Sequence, residues 1–282
     1  MIDMPTIEEN KKYWDGDYAW EGGGAEWSAD WGSVSMQWYG TILPRVHRFL
    51  PAGTILEIGC GYGRWTDFLK EACGRLIAVD LSEECIGACR RRFAAYPHLS
   101  FHCNDGTSLG MAADGTVDFV FSFDALALAD AKTMEAYLAQ LSRLLTSDGA
   151  AFLHHSNLGA YRSIYRGIRR IPMLEGLLQR IGVLDRDLYW RDFGVSADLV
   201  ADLAAKHGLT CASQELIRWG TKRVLLDALS VVTRQTGAAA GCRRLRNTFF
   251  DREAANLSRL AALYASDPPR GRAGPARGGR RL

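Results

Sequence analysis

"ILEIGCGYGRW", residues 55–65, is the stretch of the sequence that decides the fold. An apolar run carrying one acid, Glu57, breaks into glycines at alternate positions: Gly59, Gly61 and Gly63. This pattern predicts a buried strand that turns tightly and lets the backbone approach a nucleotide. A dinucleotide fingerprint would place the third glycine or alanine one position later, where this chain has Arg64. An acid within the strand suits an ammonium group better than a diphosphate, so we expect a phosphate-free cofactor with a positively charged amino-acid end.

Apolar runs and helical patterns alternate along the rest of the chain. The predicted order is strand 54–58, helix 64–73, strand 75–82, helix 83–93, strands 99–106 and 117–126, helix 131–145, strand 149–157, helix 196–207, and strands 209–219 and 223–234. Regular alternation favours an α/β, doubly wound (Rossmann-like), mostly parallel sheet with right-handed crossovers. The two final strands follow each other without a helix, which predicts a seven-stranded sheet with an antiparallel last strand.

Three segments flank or interrupt this core, which we assign to residues 51–267. Residues 1–50 are rich in tryptophan and predict an aromatic, helical cap or lid, with a helix over 35–49 that Pro44 should kink. Residues 158–195 are basic and aromatic and predict a helical insertion after strand five. Residues 268–282 hold five arginines and no acid, a composition typical of a disordered tail.

The charge balance argues against nucleic acid as a partner. The net charge is +2, but without the tail the chain has 29 basic and 32 acidic residues. No apolar run is long enough to span a membrane, and "MIDMPTIEEN" lacks the layout of a signal peptide, so we expect a cytoplasmic protein. The scattered cysteines include no Cys-x-x-Cys pair, and no spacing brings three metal ligands together, so we expect no metal.

Four motifs together resemble the class I methyltransferases that use S-adenosylmethionine (SAM), over roughly residues 40–155. SAM has no phosphate and a cationic amino-acid end, so it also meets the requirements of the glycine stretch. The resemblance implies that the glycines approach the methionine end, that Asp80 with neighbouring Leu81 binds the ribose, and that Asp124 lines the methyl-transfer cleft. Asp105 would accept from the adenine amine, and Gly106 would allow close backbone approach. A doubly wound domain that binds another adenosine cofactor remains the alternative.

The chain also resembles a narrower group, bacterial small-molecule and sugar methyltransferases of polysaccharide or natural-product pathways. The shared stretches are "EWSADWG", "QWYGTILPRVHRFLP", "GRWTDFL" and "HHSNLG".

His154 and His155 close the fifth strand and are the candidate catalytic bases. Ligands of open α/β sheets bind at that edge, and an imidazole titrates near neutral pH. Because successive strand residues face opposite sides, one should face the cleft and the other should pack beneath a helix. The candidate substrate residues are aromatic or cationic: Trp27, Trp31, Trp38, Tyr161, Trp190 and Arg191. An aromatic anchor for the N-terminus, with arginines on a solvated face, is the alternative explanation.

The leading hypothesis is methyl transfer from SAM to a small-molecule acceptor, with O-methylation of a sugar, a sugar nucleotide or a glycosylated metabolite. N-methylation of an amino sugar or amino acid is the alternative, and a SAM-binding protein without methyl transfer is the rival class. The acceptor could carry an anionic group, which the arginines of the insertion would hold. The sequence leaves the oligomeric state open.

Overall fold

The structure, a computed structural model, describes residues 6–171, 173, 177–178, 180, 191–219, 224–234 and 241–265. Trp190 and the tail 268–282 lie outside these residues, and the insertion 158–195 is described only in part. The predictions made for those segments therefore stay predictions.

The strands form one mixed sheet with a mostly parallel arrangement. They are β1 Ala52–Ile58, β2 Cys73–Asp80, β3 Leu99–Cys103, β4 Val117–Ser122, β5 Leu145–Ser156, β6 Thr210–Ile217, β7 Asp227–Thr233 and β8 Arg243–Asn247. Their order across the sheet is β3-β2-β1-β4-β5-β7-β6-β8. Only β7, among these strands, runs antiparallel to its neighbours β5 and β6, and this confirms the doubly wound fold with an antiparallel strand near one end.

The predicted number of strands was wrong, since the described sheet has eight rather than seven. The additional strand β8 pairs parallel to β6 at the sheet edge. Its sequence, Arg-Arg-Leu-Arg-Asn, is almost entirely exposed and lacks the alternation of apolar residues that marks a half-buried strand.

Helices cover both faces of the sheet. They are α1 Ile7–Lys12, α2 Val34–Gln37, α3 Leu43–Val46, α4 Thr66–Leu69, α5 Glu83–Arg92, α6 Ala131–Leu144, α7 Arg162–Arg169, α8 Ala197–Lys206 and α9 Phe250–Tyr264. Side chains cap five of them: Thr6 caps α1, Ser33 caps α2, Ser82 caps α5, Asp130 caps α6, and Ser196 caps α8 as predicted.

Two apolar cores lie on opposite faces of the sheet. Ile55 packs into one and Leu56 into the other, as the two-residue period of a strand requires. The Leu56 core contains α6 and α8 side chains, and the Ile55 core contains large aromatic rings. Trp38 belongs to this second core, where it stacks on Phe68 with ring centroids 5.0 Å apart.

The helical run predicted over residues 35–49 is present but divided. A π-turn at Trp38–Ile42 separates α2 from α3. Pro44 lies in the first turn of α3 and has no N–H to donate to the preceding turn, which explains why the regular helix is interrupted there.

Helix α9, which the sequence patterns did not predict, packs against this N-terminal region. A Cβ atom on Gly40 would lie 2.6 Å from the side chain of Leu257, so the backbones approach closely. Arg45 of α3 joins the two regions further, because it binds Glu215 of β6 at 2.7 Å and Glu253 of α9 at 2.9 Å.

Candidate active site

A cavity of about 940 Å³ opens at the carboxyl edge of the sheet. It lies where β1 adjoins β2 on one side and β4 on the other, which is the point at which the strand order reverses. Ligands of open α/β sheets bind at such a point. The described lining comes from the loops after β1, β2, β3 and β4, from the end of β5, and from the N-terminal region and α9.

The loop after β1 takes a conformation that requires glycine. Gly59, Gly61 and Gly63 all have positive φ angles, at 77°, 53° and 85°. A Cβ atom on Gly59 would lie 2.1 Å from the Cβ of Ala125, and Gly61 lies against Trp20. Gly59 and Gly61 line the cavity, whereas Gly63 packs beneath it against Phe93 of the α5 region, where a Cβ would come within 2.4 Å.

Asp80 ends β2 beside the glycine loop and lines the cavity together with Leu81. Its carboxylate accepts the N–H of Gly61 at 2.8 Å and the N–H of Ser82 at 3.0 Å. Burial raises the pKa of Asp80, although these two hydrogen bonds oppose the rise. The carboxylate therefore fixes the loop and also faces the cavity where the ribose was predicted.

Glu57 lies beneath the loop rather than in the cavity lining. It is 1% exposed, and its Oε2 accepts the hydroxyl of Thr66 at 2.5 Å. Its Oε1 makes no hydrogen bond with any described residue, and burial raises the pKa of this carboxyl to about 8. The structure therefore places Glu57 as a support of the loop, one layer below the predicted contact with the cofactor.

The loop after β3 presents Asn104 and Gly106 to the cavity, and Asp105 points away. Asp105 is exposed, and its carboxylate accepts the N–H groups of Thr107 and Ser108 at 2.8 and 2.6 Å. The Ser108 hydroxyl and the Thr107 amide lower the pKa of Asp105 to about 2. This arrangement argues against the adenine contact predicted for Asp105, since Asn104, and not Asp105, lines the cavity.

A charged cluster closes the other half of the cavity. Asp124, at the end of β4, has a positive φ of 72° and binds Arg64 at 2.5 Å. Nδ1 of His154 lies 3.2 Å from Oδ1 of Asp124, and its Nε2 lies 3.5 Å from Oδ2 of Asp227. Asp227 in turn binds Arg191 through two N–H groups, at 2.7 and 2.9 Å.

The cluster favours the charged form of His154. Burial alone would lower the pKa of His154, but Asp124 and Asp227 raise it to about 9. Burial also disfavours the charged forms of the two carboxylates. The pKa of Asp124 is nevertheless held below its usual range by Arg64 and His154, and the pKa of Asp227 by Arg191 and His154. Nδ1 can donate to the Asp124 carboxylate when protonated and accept the Asp124 N–H, 3.1 Å away, when deprotonated. Both protonation states therefore have a partner.

His155 lies on the opposite face of β5, as the alternation of a strand predicted for one member of the pair. It is fully buried, and its ring nitrogens lie 2.8 Å from the carbonyl of Ser156 and 2.7 Å from the hydroxyl of Ser230. Burial lowers its pKa to about 4. These contacts argue against a catalytic role for His155, whereas His154 lines the cavity.

The predicted substrate residues divide into those that line the cavity and those that do not. Trp27, Trp31 and Arg191 line it. Trp38 is a core residue, and Tyr161 packs near Leu158 and Tyr165, where its hydroxyl accepts the N–H of Leu225 at 3.0 Å. The guanidinium of Arg191 forms an ion pair with Asp227, so binding a phosphate would require it to give up this pair.

The N-terminal strap, residues 7–31, crosses the cavity from end to end. Ile7 contacts Gly106, and Asp15 accepts the hydroxyl of Ser82 at 2.6 Å. Trp20 stacks on Tyr62, with ring centroids 4.5 Å apart and planes 9° apart. These contacts place the strap over the predicted adenine, ribose and methionine positions in turn.

Asp227 was not predicted from the sequence as a site residue, because such residues were expected at the ends of strands and Asp227 begins one. An antiparallel β7 starts where β5 ends, and Asp227 pairs with Ser156 in the ladder. The predicted antiparallel strand was the signal that could have placed this carboxylate beside His154. Trp219 and Phe250 also line the cavity, and no pattern in the sequence marked them.

Neither a metal centre nor a membrane span is found among the residues that the structure describes. These residues contain no group of three or more His, Cys, Asp or Glu side chains arranged to hold a metal ion, and metal independence stays a prediction. None of the helices in the described ranges is both long enough and apolar enough to cross a membrane.

The sheet order and the cavity at its switch point resemble those of class I SAM-dependent methyltransferase domains. The backbone cradle of the glycine loop and the Asp80 carboxylate fit a cofactor with an amino-acid end and a ribose. Residues 55–149 match the family model of a methyltransferase domain. This match confirms the resemblance recognised in the motifs and, with it, SAM as the cofactor.

Known proteins resemble parts of the chain. Phosphoethanolamine N-methyltransferase 1 of Arabidopsis thaliana is 30% identical over 117 residues, which cover 40% of this chain and 24% of that protein. Nodulation protein S of Bradyrhizobium diazoefficiens is 32% identical over 75 residues, covering 27% of this chain and 36% of that protein. The chain therefore spans only about a quarter to a third of the length of these curated relatives.

One solved structure shares the fold over most of its length. Magnesium protoporphyrin IX methyltransferase of Synechocystis PCC 6803 superposes with a TM-score of 0.51 at 15% identity, covering 81% of this chain and 99% of that chain. At this identity the likeness concerns the fold alone.

Proposed function

We propose that this chain transfers the methyl group of SAM to a hydroxyl group of a small-molecule acceptor, with His154 as the proton acceptor. The observation that carries the proposal is that the glycine loop, Asp80 and His154 line the same cavity. We assign the glycine loop to the methionine end of SAM, Asp80 to the ribose, and Asn104 with Gly106 to the adenine side.

When bound, SAM supplies a methyl group on a positively charged sulfur, which is already activated for transfer. The residues of this chain then have two tasks, to orient the acceptor and to take up its proton. His154 can take the proton in its neutral form, in which Nδ1 accepts the Asp124 amide. The carboxylates of Asp124 and Asp227 favour the charged form, so turnover should rise as the pH approaches the raised pKa of about 9.

Amine methylation is the second candidate. The carboxylate of Asp124 is 34% exposed and lies at the cavity surface, where it could hold an ammonium group. The name of the Arabidopsis relative, an N-methyltransferase, points the same way. The sugar-type acceptors expected from the sequence would instead present a hydroxyl to the imidazole of His154.

The test is methyl transfer from labelled SAM to fractionated cell extract, with S-adenosylhomocysteine release as the readout. His154→Gln should lower turnover by about 10²–10⁴-fold, because it removes the general base. It should leave SAM affinity unchanged, because it removes no contact with the cofactor. His155→Gln is the matched control, since it changes the neighbouring imidazole on the other face of β5, and it should lower stability instead.

Normal turnover by His154→Gln would remove His154 as the base and favour an amine acceptor. A wild-type protein that binds SAM but releases no S-adenosylhomocysteine with any fraction would favour the SAM-binding protein without methyl transfer.

A further inference from the structure

The acceptor half of the cavity has a wall of three aromatic rings. Trp31 stacks on Trp219 with ring centroids 4.8 Å apart and planes 21° apart. Phe250 meets both rings edge-on, at 6.0 and 5.8 Å. All three line the cavity, and they come from the N-terminal strap, the segment after β6 and the start of α9. We call this set the ring wall.

The ring wall is held in place by contacts from behind. The indole N–H of Trp31 donates to the hydroxyl of Thr41 at 2.9 Å, and the ring is only 3% exposed. The guanidinium of Arg45 lies 5.3 Å from the centre of the Phe250 ring and is itself fixed by Glu215 and Glu253. Because Trp31 and Phe250 are buried, the half-buried ring of Trp219 is the face of the wall that a ligand can reach, and the rings behind it keep that face ordered when a ligand binds.

The charges around the ring wall disfavour an anionic acceptor. In the described lining the cationic groups besides His154 are Arg64 and Arg191, and each binds a carboxylate of the cluster. The same lining includes Asp30 and Asp130, which add negative charge, and Asp251, which is paired with Arg218 at 3.0 Å. A phosphate would have to break an existing ion pair and approach these carboxylates, which costs free energy on both counts.

From this arrangement we infer that the acceptor is a planar, uncharged aromatic molecule that lies on the ring wall and presents a ring hydroxyl to His154. This inference rests on the proposed function, and it favours an aromatic metabolite over a sugar phosphate or sugar nucleotide. The flat face of such a molecule matches the wall, and its polar edge matches the charged cluster at His154.

The acidity of such a hydroxyl also suits the site. A phenolic hydroxyl has a pKa near that of tyrosine, ~10, whereas the hydroxyl of a sugar is a far weaker acid. His154 has its pKa raised to about 9, so its neutral form, which becomes populated as the pH rises towards 9, can accept the proton of a phenol whose pKa is similar.

The test measures binding to the full chain loaded with S-adenosylhomocysteine, by calorimetry. The probes are 2-naphthol, its saturated counterpart decahydro-2-naphthol, and uridine diphosphate glucose. We expect 2-naphthol to bind at least about tenfold more tightly than the non-planar alcohol, because stacking is lost with planarity. The sugar nucleotide should bind more weakly than 2-naphthol.

A variant locates the binding on the ring wall. Trp219→Leu should weaken 2-naphthol about tenfold, while Tyr39→Ala, an aromatic change outside the cavity, should leave it unchanged. Equal binding of the planar and saturated alcohols, or tighter binding of the sugar nucleotide, would overturn the inference. That comparison uses the wild-type chain, so its outcome does not depend on the folding of a variant. Failure to bind S-adenosylhomocysteine at all would instead refute the proposed function.

Discussion

Replacing Asp227 with asparagine should shift the protonation of His154 without removing any group that lines the cavity. Asp227 is fully buried, and its Oδ2 lies 3.5 Å from Nε2 of His154. The change keeps the size of the side chain and removes its charge. It also weakens the bond to Arg191, whose positive charge is then less compensated near the imidazole.

The size of the effect follows from the two carboxylates beside the ring. The pKa of His154 lies at about 9, compared with 6.5 for an unperturbed histidine. Burial opposes this rise, so Asp124 and Asp227 together contribute more than the net difference of roughly 2.5 pH units. If the two contribute comparably, the loss of one should lower the pKa of His154 by at least about 1 unit.

The same shift has a signature in stability. A histidine whose folded pKa is raised stabilises the folded state fully below its unfolded pKa of ~6.5. That stabilisation, roughly 3 kcal/mol for the full difference, is lost as the pH rises through the folded pKa of about 9. The difference in unfolding free energy between wild type and Asp227→Asn should therefore be largest below pH 6.5 and should shrink towards pH 9.

The assay is NMR titration of carbon-13-labelled histidine, with the His154 signal assigned by its absence in His154→Gln. No acceptor is needed for this measurement. Asp202→Asn, at an exposed carboxylate of α8, is the control and should leave the titration unchanged. A His154 signal that titrates near 6.5 in wild type, or one that does not move in Asp227→Asn, would refute the reasoning about the cluster.

Three other changes test the cofactor half and the tail. Asp80→Ala should weaken SAM binding at least about a hundredfold in calorimetry, because two charge-assisted hydrogen bonds of roughly 1.5–3 kcal/mol each are lost, whereas Asp105→Ala should not. Gly59→Ala should abolish SAM binding and lower the melting temperature, since its Cβ would lie 2.1 Å from Ala125; Gly115→Ala, with a similar φ of 68° and open space, measures the backbone strain alone. Deleting residues 268–282 should leave SAM affinity and turnover near wild type, and a loss of activity would show that the tail arginines reach the substrate.

The cofactor half of the site was readily predicted from the sequence. Glycine spacing, strand ends and alternation each have a direct geometric meaning, and they placed Gly59, Asp80 and Asp124 at one edge of the sheet. What the pattern could not fix was the orientation of neighbours in a loop. Asn104 and Asp105 follow β3 directly, and the turn chemistry of Asp105, which bonds its own loop, decides which of the two faces the cavity.

The acceptor half was predicted less well, because its residues come from segments with weak local signals. Strand β8 is exposed and basic and shows no alternation of apolar residues, and helix α9 has few buried residues. The tryptophans of the N-terminal region were recognised as a set, but composition cannot separate Trp38, which packs in the core, from Trp31, which lines the cavity. That difference depends on long-range packing against α9.

This division of the cavity explains why the relatives identify the cofactor but leave the acceptor open. The matched residues 55–149 supply the glycine loop, Asp80 and Asp124. His154, Asp227 and the ring wall all lie outside that match. Acceptor choice must depend on the groups that touch the acceptor, so likeness within 55–149 carries no information about it. The substrate of this chain therefore has to be inferred from the groups outside that match, where the fixed rings and the ion-paired Arg191 both argue against an acceptor that carries a phosphate.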